Sequence, residues 1–82
     1  MEVYVVTSLI ENAEIGAEVN IVGIKKDEKQ ASELLQELLE NVKQEYKENN
    51  IEYDITDRGN CIVIESNVDE YITLEYQKSE VE

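Results

Sequence analysis

The chain has 82 residues, 41% of them hydrophobic, and carries 20 acidic against 7 basic side chains, a net charge of −13. Nucleic-acid backbones and anionic membranes attract proteins through Lys and Arg, so this balance argues against direct binding to either. It favours a basic protein surface, a cation or solvent alone. There is no His and a single Cys, which removes the commonest general base and any intramolecular disulfide.

A chain of this length predicts one domain spanning residues 1–82, with a thin core. No apolar run approaches the roughly 20 residues of a membrane span. The first residues also do not have the basic-then-apolar layout of a signal peptide. We therefore expect a cytoplasmic protein, and we expect residues 79–82 to be frayed.

Two strands are predicted before the helix. Residues 2–10 (EVYVVTSLI) are apolar on both alternating faces, which is typical of an interior strand covered on both sides or nearly so. Residues 17–24 (AEVNIVGI) form the second strand, and an antiparallel hairpin with the first is expected. Gly23 indicates a bulge or a close backbone approach. Strict alternation would place Val19 and Ile21 on one face, and Val22 and Ile24 on the other.

Residues 28–48 carry the clearest pattern, with apolar side chains at steps of three and four residues. This spacing predicts an amphipathic helix of about six turns. Asp27 is placed as the N-cap, and Gln30 completes an Asp version of the capping box. Asn49 and Asn50 can supply a left-handed stop at the other end. The apolar stripe consists of Ala31, Leu34, Leu35, Leu38, Leu39, Val42 and Tyr46.

Three further strands follow, over residues 51–56, 61–65 and 71–76, and the first of them alternates as a half-buried strand. The order β-β-α-β-β-β predicts an α+β fold, with one long amphipathic helix packed on a mostly antiparallel sheet. The five tyrosines are interpreted as large core and rim residues whose hydroxyl groups reach water.

Residues 53–65 (YDITDRGNCIVIE) contain part of an EF-hand pattern. Counted from Asp54, the residues Asp, Thr, Gly and Glu occupy positions 1, 3, 6 and 12, as a calcium loop requires. Position 5 is Arg58, a cation where an oxygen ligand is needed, and both flanks alternate as strands. We therefore interpret residues 57–60 (DRGN) as a hairpin turn and predict no metal site.

Catalytic patterns are weak. Cys61 lies in an apolar strand without a nearby base, where a thiol keeps a high pKa and reacts poorly. Neighbouring carboxylates are expected from composition alone, and the three glycines are too far apart for a phosphate loop. We expect a protein that is not an enzyme and that uses no cofactor.

The acidic surface is the remaining functional signal. Carboxylates aligned along a rigid helix can imitate a line of phosphates and occupy a basic groove on another protein. Asp54 and Asp57 are expected to extend the surface that begins on the helix. The candidate partner-binding residues are Glu33, Glu37, Glu40, Glu48, Glu52, Asp54 and Asp57.

Three short stretches carry a resemblance to a known group of proteins: MEVYVVTS at residues 1–8, IVGI at 21–24 and DEKQA at 27–31. Together they resemble small, mostly uncharacterised proteins of bacteriophages and mobile elements. Those proteins open with a VYVV strand, continue with a VVGV strand and begin their helix with acidic, Lys and Ala residues. The resemblance covers about the first third of the chain. It carries over no site residues, and it implies an inhibitor of a host system or a small regulator in the host cytoplasm.

Two hypotheses follow. The first is a non-enzymatic inhibitor or regulator that binds the basic surface of a host nucleic-acid-binding or defence protein through its acidic, DNA-mimic-like surface. The second is an oligomer that sequesters a small ligand between its subunits, and a homodimer is one such oligomer. A thin core and an exposed strand edge favour pairing of this kind.

Overall fold

The computed structural model describes residues 1–81. One helix lies on a five-stranded antiparallel sheet with the strand order β2-β1-β5-β4-β3, so the predicted α+β class and element order are confirmed. Within the described residues, no helix is both long and apolar enough to cross a membrane. The elements are β1 (Glu2–Asn12), β2 (Gly16–Lys25), α1 (Glu28–Glu48), β3 (Tyr53–Asp57), β4 (Cys61–Ser66) and β5 (Glu70–Glu80).

Helix α1 begins and ends at the residues that its caps predict. The Asp27 carboxylate accepts a hydrogen bond from the backbone N–H of Gln30 at 2.8 Å, which satisfies one of the free donors of the first turn. At the other end, the Asn49 side chain donates to the Glu45 carbonyl at 2.8 Å. Asn50 then adopts a left-handed conformation with φ 55°, and this ends the helix.

The core lies between α1 and one face of the sheet. The apolar stripe of the helix supplies one side of it, and inward-pointing side chains of β1, β4 and β5 supply the other. Because a single helix covers a single face, the buried cluster is confined to this layer. Its members are Val6, Ala31, Leu35, Leu39, Tyr46, Ile62, Ile64, Ile72 and Leu74.

Strand β2 contains a β-bulge. Val6 of β1 pairs with Gly23, but the next residue, Thr7, pairs with Ile21. Val22 is therefore an extra residue on β2 without a partner of its own. Because side chains alternate between the two faces of a strand, the inserted residue moves each side chain after it to the face opposite the one that strict alternation predicts.

The bulge decides where Ile24 lies. Ile24 pairs with Val5, whereas Ile21 and Val19 pair with Thr7 and Leu9, and these β1 residues share one face. Ile24 therefore lies beside Val19 and Ile21, on the face turned away from α1. The prediction that Ile24 lies opposite Val19 and Ile21 is wrong, because strict alternation does not hold across the bulge.

Gly23 has both of the roles that its position predicted. It is part of the bulge, and it allows the helix to approach the backbone of β2. A Cβ atom at this position would lie 3.0 Å from Cδ2 of Leu34, a distance tighter than ordinary contact. The small residue therefore lets α1 lie close against the bulged strand.

Among residues 1–81, no element covers the face of the sheet turned away from α1, which is here called the open face. β1 is an interior strand, as predicted, but the helix covers only one of its two faces. Val19, Ile21 and Ile24 remain 66%, 69% and 62% exposed. On this face Val3 of β1 is buried and Val5 and Leu9 are half-buried. The expected cover of β1 on both sides or nearly so is therefore only partial, because the one helix of residues 1–81 lies on the other face.

Strand β5 is longer than the sequence predicted. It continues to Glu80, which pairs with Glu2. Beyond the strand, the N–H of Val81 donates to the carbonyl of Met1 at 2.7 Å. Residues 79–81 thus form ordered pairs instead of the expected frayed end, and residue 82 lies outside the described residues.

The DRGN segment is a hairpin turn between β3 and β4, as predicted. The Asp57 carboxylate accepts from the N–H of Gly59 at 2.8 Å, and the N–H of Arg58 donates to the Cys61 carbonyl at 2.9 Å. Gly59 has φ 89°, a conformation that favours glycine. Within residues 1–81 no group of three or more potential ligand residues could hold a metal ion.

Tyr46 is an exception to the expectation that the tyrosine hydroxyls reach water. Its side chain is buried, and its hydroxyl donates to Oε1 of Glu70 at 2.7 Å. The hydroxyl of Ser66 in turn donates to the backbone carbonyl of Glu70 at 3.0 Å. Burial, followed by the hydrogen bond to Glu70, raises the pKa of Tyr46 to about 12. The hydrogen bond from Tyr46 to Glu70 ties the last turns of α1 to the β4–β5 turn.

Replacing Tyr46 with phenylalanine should lower the free energy of unfolding at neutral pH by about 1–2 kcal/mol, since a hydrogen bond to a charged group is lost. The pKa of Tyr46 is raised on folding, so its contribution is complete below pH 10 and is lost as the pH rises toward about 12. The difference between wild type and Tyr46→Phe in urea unfolding should shrink over that range. Tyr71→Phe, at an exposed tyrosine, is the control and should show no such change.

Candidate protein-interaction surface

Four of the seven predicted partner-binding residues form one surface on α1. Glu33, Glu37, Glu40 and Glu48 are all exposed, on the side of the helix opposite its buried stripe. We call this set the acidic ridge. At about 1.5 Å of rise per residue, the ridge extends roughly 22 Å along the helix.

The ridge is only partly neutralised by its surroundings. Nζ of Lys43 lies 3.3 Å from Oε1 of Glu40, in an ion pair with substantially exposed side chains, and such pairs contribute little. The Gln44 amide donates to the Glu48 carboxylate at 3.0 Å, which orients that group without removing its charge. The helix as a whole carries six acids against three lysines. A partner therefore meets a predominantly negative surface.

Glu52 and Asp54 lie beyond the helix, on a different part of the surface. Glu52 is exposed in the segment that leads into β3, an edge strand of the sheet. Asp54 pairs in register with Glu65, and the neighbouring Ile55 packs toward the core. The Asp54 side chain is thus on the open face, and the structure does not bring it together with the acidic ridge.

Glu52 and Asp54 instead help to form an open cleft of about 590 Å³ at the β3 edge. Sequence reasoning missed Glu65 and Tyr71, which line the same cleft. Counting outward from the DRGN turn would have paired Asp54 with Glu65, but nothing local in the sequence indicated Tyr71. We call this feature the acidic cleft; its lining residues are Glu52, Tyr53, Asp54, Glu65, Ser66, Asn67 and Tyr71.

Asp57 belongs to neither feature. One of its carboxylate oxygens is already bonded to the N–H of Gly59 in the hairpin turn. The turn lies at the opposite end of β3 from Glu52, where Asn60 and Glu28 line a shared depression near the start of α1. The main role of Asp57 in this structure is therefore to shape the hairpin turn.

Cys61 is half-buried on the open face. Burial raises the pKa of its thiol, and the nearby Glu75 carboxylate raises it further. Both causes disfavour the thiolate, the reactive form. The structure therefore agrees with the prediction of a poorly reactive cysteine.

A second cleft, of about 290 Å³, lies within the single chain between α1 and the sheet. Its walls include the apolar Leu38, Val42 and Ile72, but the carboxylates of Glu45 and Glu70 also line it. The ligand-sequestering hypothesis requires an uncharged cavity between subunits. Because Glu45 and Glu70 line this cleft, it is not the uncharged cavity that the hypothesis requires.

The fold defines a two-layer α+β domain whose outward feature is a set of exposed carboxylates. In comparisons with known proteins, the chain matches no family model, no curated protein and no solved structure. The resemblance to phage and mobile-element proteins stays a prediction. Arguments about function therefore rest on the geometry of the acidic ridge, the acidic cleft and the open face.

Proposed function

We propose that this is a small non-enzymatic protein-binding domain, which recognises a basic surface of another protein through the acidic ridge. The observation that carries the proposal is the alignment of four exposed carboxylates on the outer side of one rigid helix. In a phage or mobile element, a fitting partner is a host nucleic-acid-binding or defence protein. The domain would then occupy the groove that such a protein offers to nucleic acid.

The spacing of the ridge is compatible with a surface that normally contacts phosphates. Glu33, Glu37 and Glu40 are separated by roughly 6 Å and roughly 4.5 Å along the helix axis. Phosphates along one DNA strand are separated by about 3.4 Å of axis, so the ridge offers fewer charges per length than DNA. Long, flexible Lys and Arg side chains can accommodate this difference.

The acidic cleft is a second feature that suits a basic group, on the side of the domain away from the ridge. Asp54 and Glu65 lie side by side in register, and Tyr71 lines the same cleft. Two carboxylates beside an aromatic ring suit an Arg side chain. Its guanidinium group donates two parallel hydrogen bonds to a carboxylate and also stacks on aromatic rings. Because the cleft lies on the open face and the ridge on the outer side of α1, an arginine bound here would be a contact separate from the ridge.

Affinity capture from host lysate tests the proposal. At about 0.05 M salt we expect basic proteins to be retained, and at about 0.5 M salt we expect them to be released, because screening shortens the range of exposed charges. Added duplex DNA should displace a genuine groove-binding partner at low salt, whereas an uncharged polymer should not. Retention of no protein at low salt, or retention that DNA does not affect, would contradict the proposal.

A further inference from the structure

The open face carries an apolar patch that the fold leaves exposed. Val19, Ile21 and Ile24 of β2 are each about two-thirds exposed, and Val5 and Leu9 of β1 lie beside them in register. Large aliphatic side chains side by side on one face of a sheet are typical of a surface that another layer covers. The bulge at Val22 is what gathers them, since it adds Ile24 to the patch.

Most of the charge on the open face lies at one end, and the exception is Glu75 of β5, which pairs with Thr7 and Cys61 nearer the centre. Glu11, Tyr71, Glu65 and Asp54 form one row across the strands, in which each residue pairs with the next. The neighbouring row, which crosses all five strands, contains no charge. It consists of Val19, Leu9, Thr73, Val63 and Thr56.

The size of the open face matches that of a stable interface. With five strands about 4.8 Å apart and a rise of about 3.4 Å per residue, the face covers roughly 700 Å². A stable interface of standard size buries about 800 Å² on each partner. Two twisted sheets pack face to face as aligned layers about 10 Å apart. A second copy of the same sheet is a surface of the matching area, twist and polarity.

Charge also favours this arrangement over other modes of self-association. Two chains of net charge −13 repel each other. Packing by the open faces turns the two helices outward, so that the acidic ridges lie roughly 30 Å apart across four layers. That separation is about three Debye lengths at 0.1 M salt. With a two-fold axis perpendicular to the strands, the acidic rows of the two copies also lie at opposite ends of the interface. Each row then lies next to the partner's Gln77 and Ser79, which are on the open face of the other copy.

We infer that the open face is the interface of a homodimer, in which two copies pack sheet to sheet with their acidic ridges on the two outer surfaces. The occupant of the face is a second copy of this chain. This inference does not rest on the proposed function, because the dimer forms whether or not a basic partner is present. If both hold, one dimer presents two ridges on opposite sides, and the cleft residues Asp54, Glu65 and Tyr71 lie at the dimer interface, so that a basic partner contacts the ridges alone.

The mass in solution tests the inference, by sedimentation velocity over a range of protein concentrations. Wild type should have twice the mass of one chain. Its association should be tighter at about 1 M than at about 0.1 M salt, because screening removes repulsion. Ile21→Glu should weaken dimerisation at least about 100-fold, since the change occurs twice in a two-fold interface. Asn20→Glu adds the same charge to the adjacent residue, on the other face of β2, and should stay dimeric.

Further variants separate folding and net charge from the interface itself. Ile24→Lys makes the chain less negative, so dissociation of this variant cannot come from added repulsion. Circular dichroism establishes that each variant is folded. Alkylation of Cys61, on the open face, gives a second measurement: its rate should fall with protein concentration for wild type and Asn20→Glu, but not for Ile21→Glu.

Three results would overturn the inference. The first is a wild-type chain that stays monomeric at high concentration and high salt. The second is a folded Ile21→Glu or Ile24→Lys variant that remains as dimeric as wild type. The third is equal dissociation of Asn20→Glu and Ile21→Glu, which would assign the contact to the edge of β2 in place of the open face.

Discussion

Replacing Leu35 with alanine should destabilise the domain by about 2–5 kcal/mol, the usual range for a buried leucine. Leu35 has no exposed surface and lies in the middle of the helical stripe that packs on the sheet. A domain of this length has a free energy of unfolding of about 4–12 kcal/mol in total. The substitution should therefore remove a large part of the stability, and it should be visible as a lower urea midpoint with an unchanged slope.

Gln36→Ala is the matched control for this experiment. Gln36 is the next residue of the same helix and is exposed, so its replacement should change the free energy of unfolding by less than about 0.5 kcal/mol. Equal effects at the two positions would mean that α1 does not pack on the sheet as described. The Leu35→Ala variant should also show a larger loss than Leu34→Ala, since Leu34 is only half-buried.

Reversing two charges of the acidic ridge, with Glu37→Lys and Glu40→Lys together, should weaken binding of a captured basic partner by about 100-fold at low salt. The double variant replaces attraction by repulsion at the middle of the ridge. It should leave the fold intact, because the new lysine at position 37 follows Glu33 by one turn and relieves a like-charge pair. Titration calorimetry or surface binding at two salt concentrations measures the change.

The control changes the same net charge elsewhere. Glu14→Lys with Glu18→Lys alters two exposed carboxylates of the β1–β2 hairpin, which are not part of the acidic ridge. If the ridge is the binding surface, this control should lose less than about fivefold, through net charge alone. Equal losses in both double variants would show that the partner responds only to total charge, and the ridge would then have no specific role.

Much of the local structure could be predicted from the sequence, because its causes are local. The Asp27 bond to Gln30 and the left-handed backbone of Asn50 fix the two ends of α1, and the spacing of leucines fixes its buried side. The DRGN turn follows in the same way from Asp57 and Gly59. In each case the deciding contacts join residues fewer than five positions apart, so a short window contains the information.

The strand order and the open face could not be predicted in this way. β1 pairs with β5, whose residues lie some seventy positions further along the chain, and no local pattern specifies such a pairing. The phase change at Val22 depends on the partner strand as well as on β2 itself. Alternation shows that Asp54 and Ile55 point to opposite sides, but it does not show which side the helix covers. For this reason the sequence could not show that the predicted acidic residues divide between a ridge on α1 and a cleft on the open face.

The central position of β5 has a consequence for how the chain folds. β1 and β2 form one hairpin and β3 and β4 form another, but the two hairpins touch β5 and not each other. During synthesis β5 is the last of these six elements to leave the ribosome, so the sheet cannot be joined until β5 itself is available. Its pairing with β1 closes a long loop, and contacts of this kind slow folding. We expect the nascent chain to keep two unjoined hairpins with exposed strand edges, a state that is prone to aggregation until the final strand inserts between them.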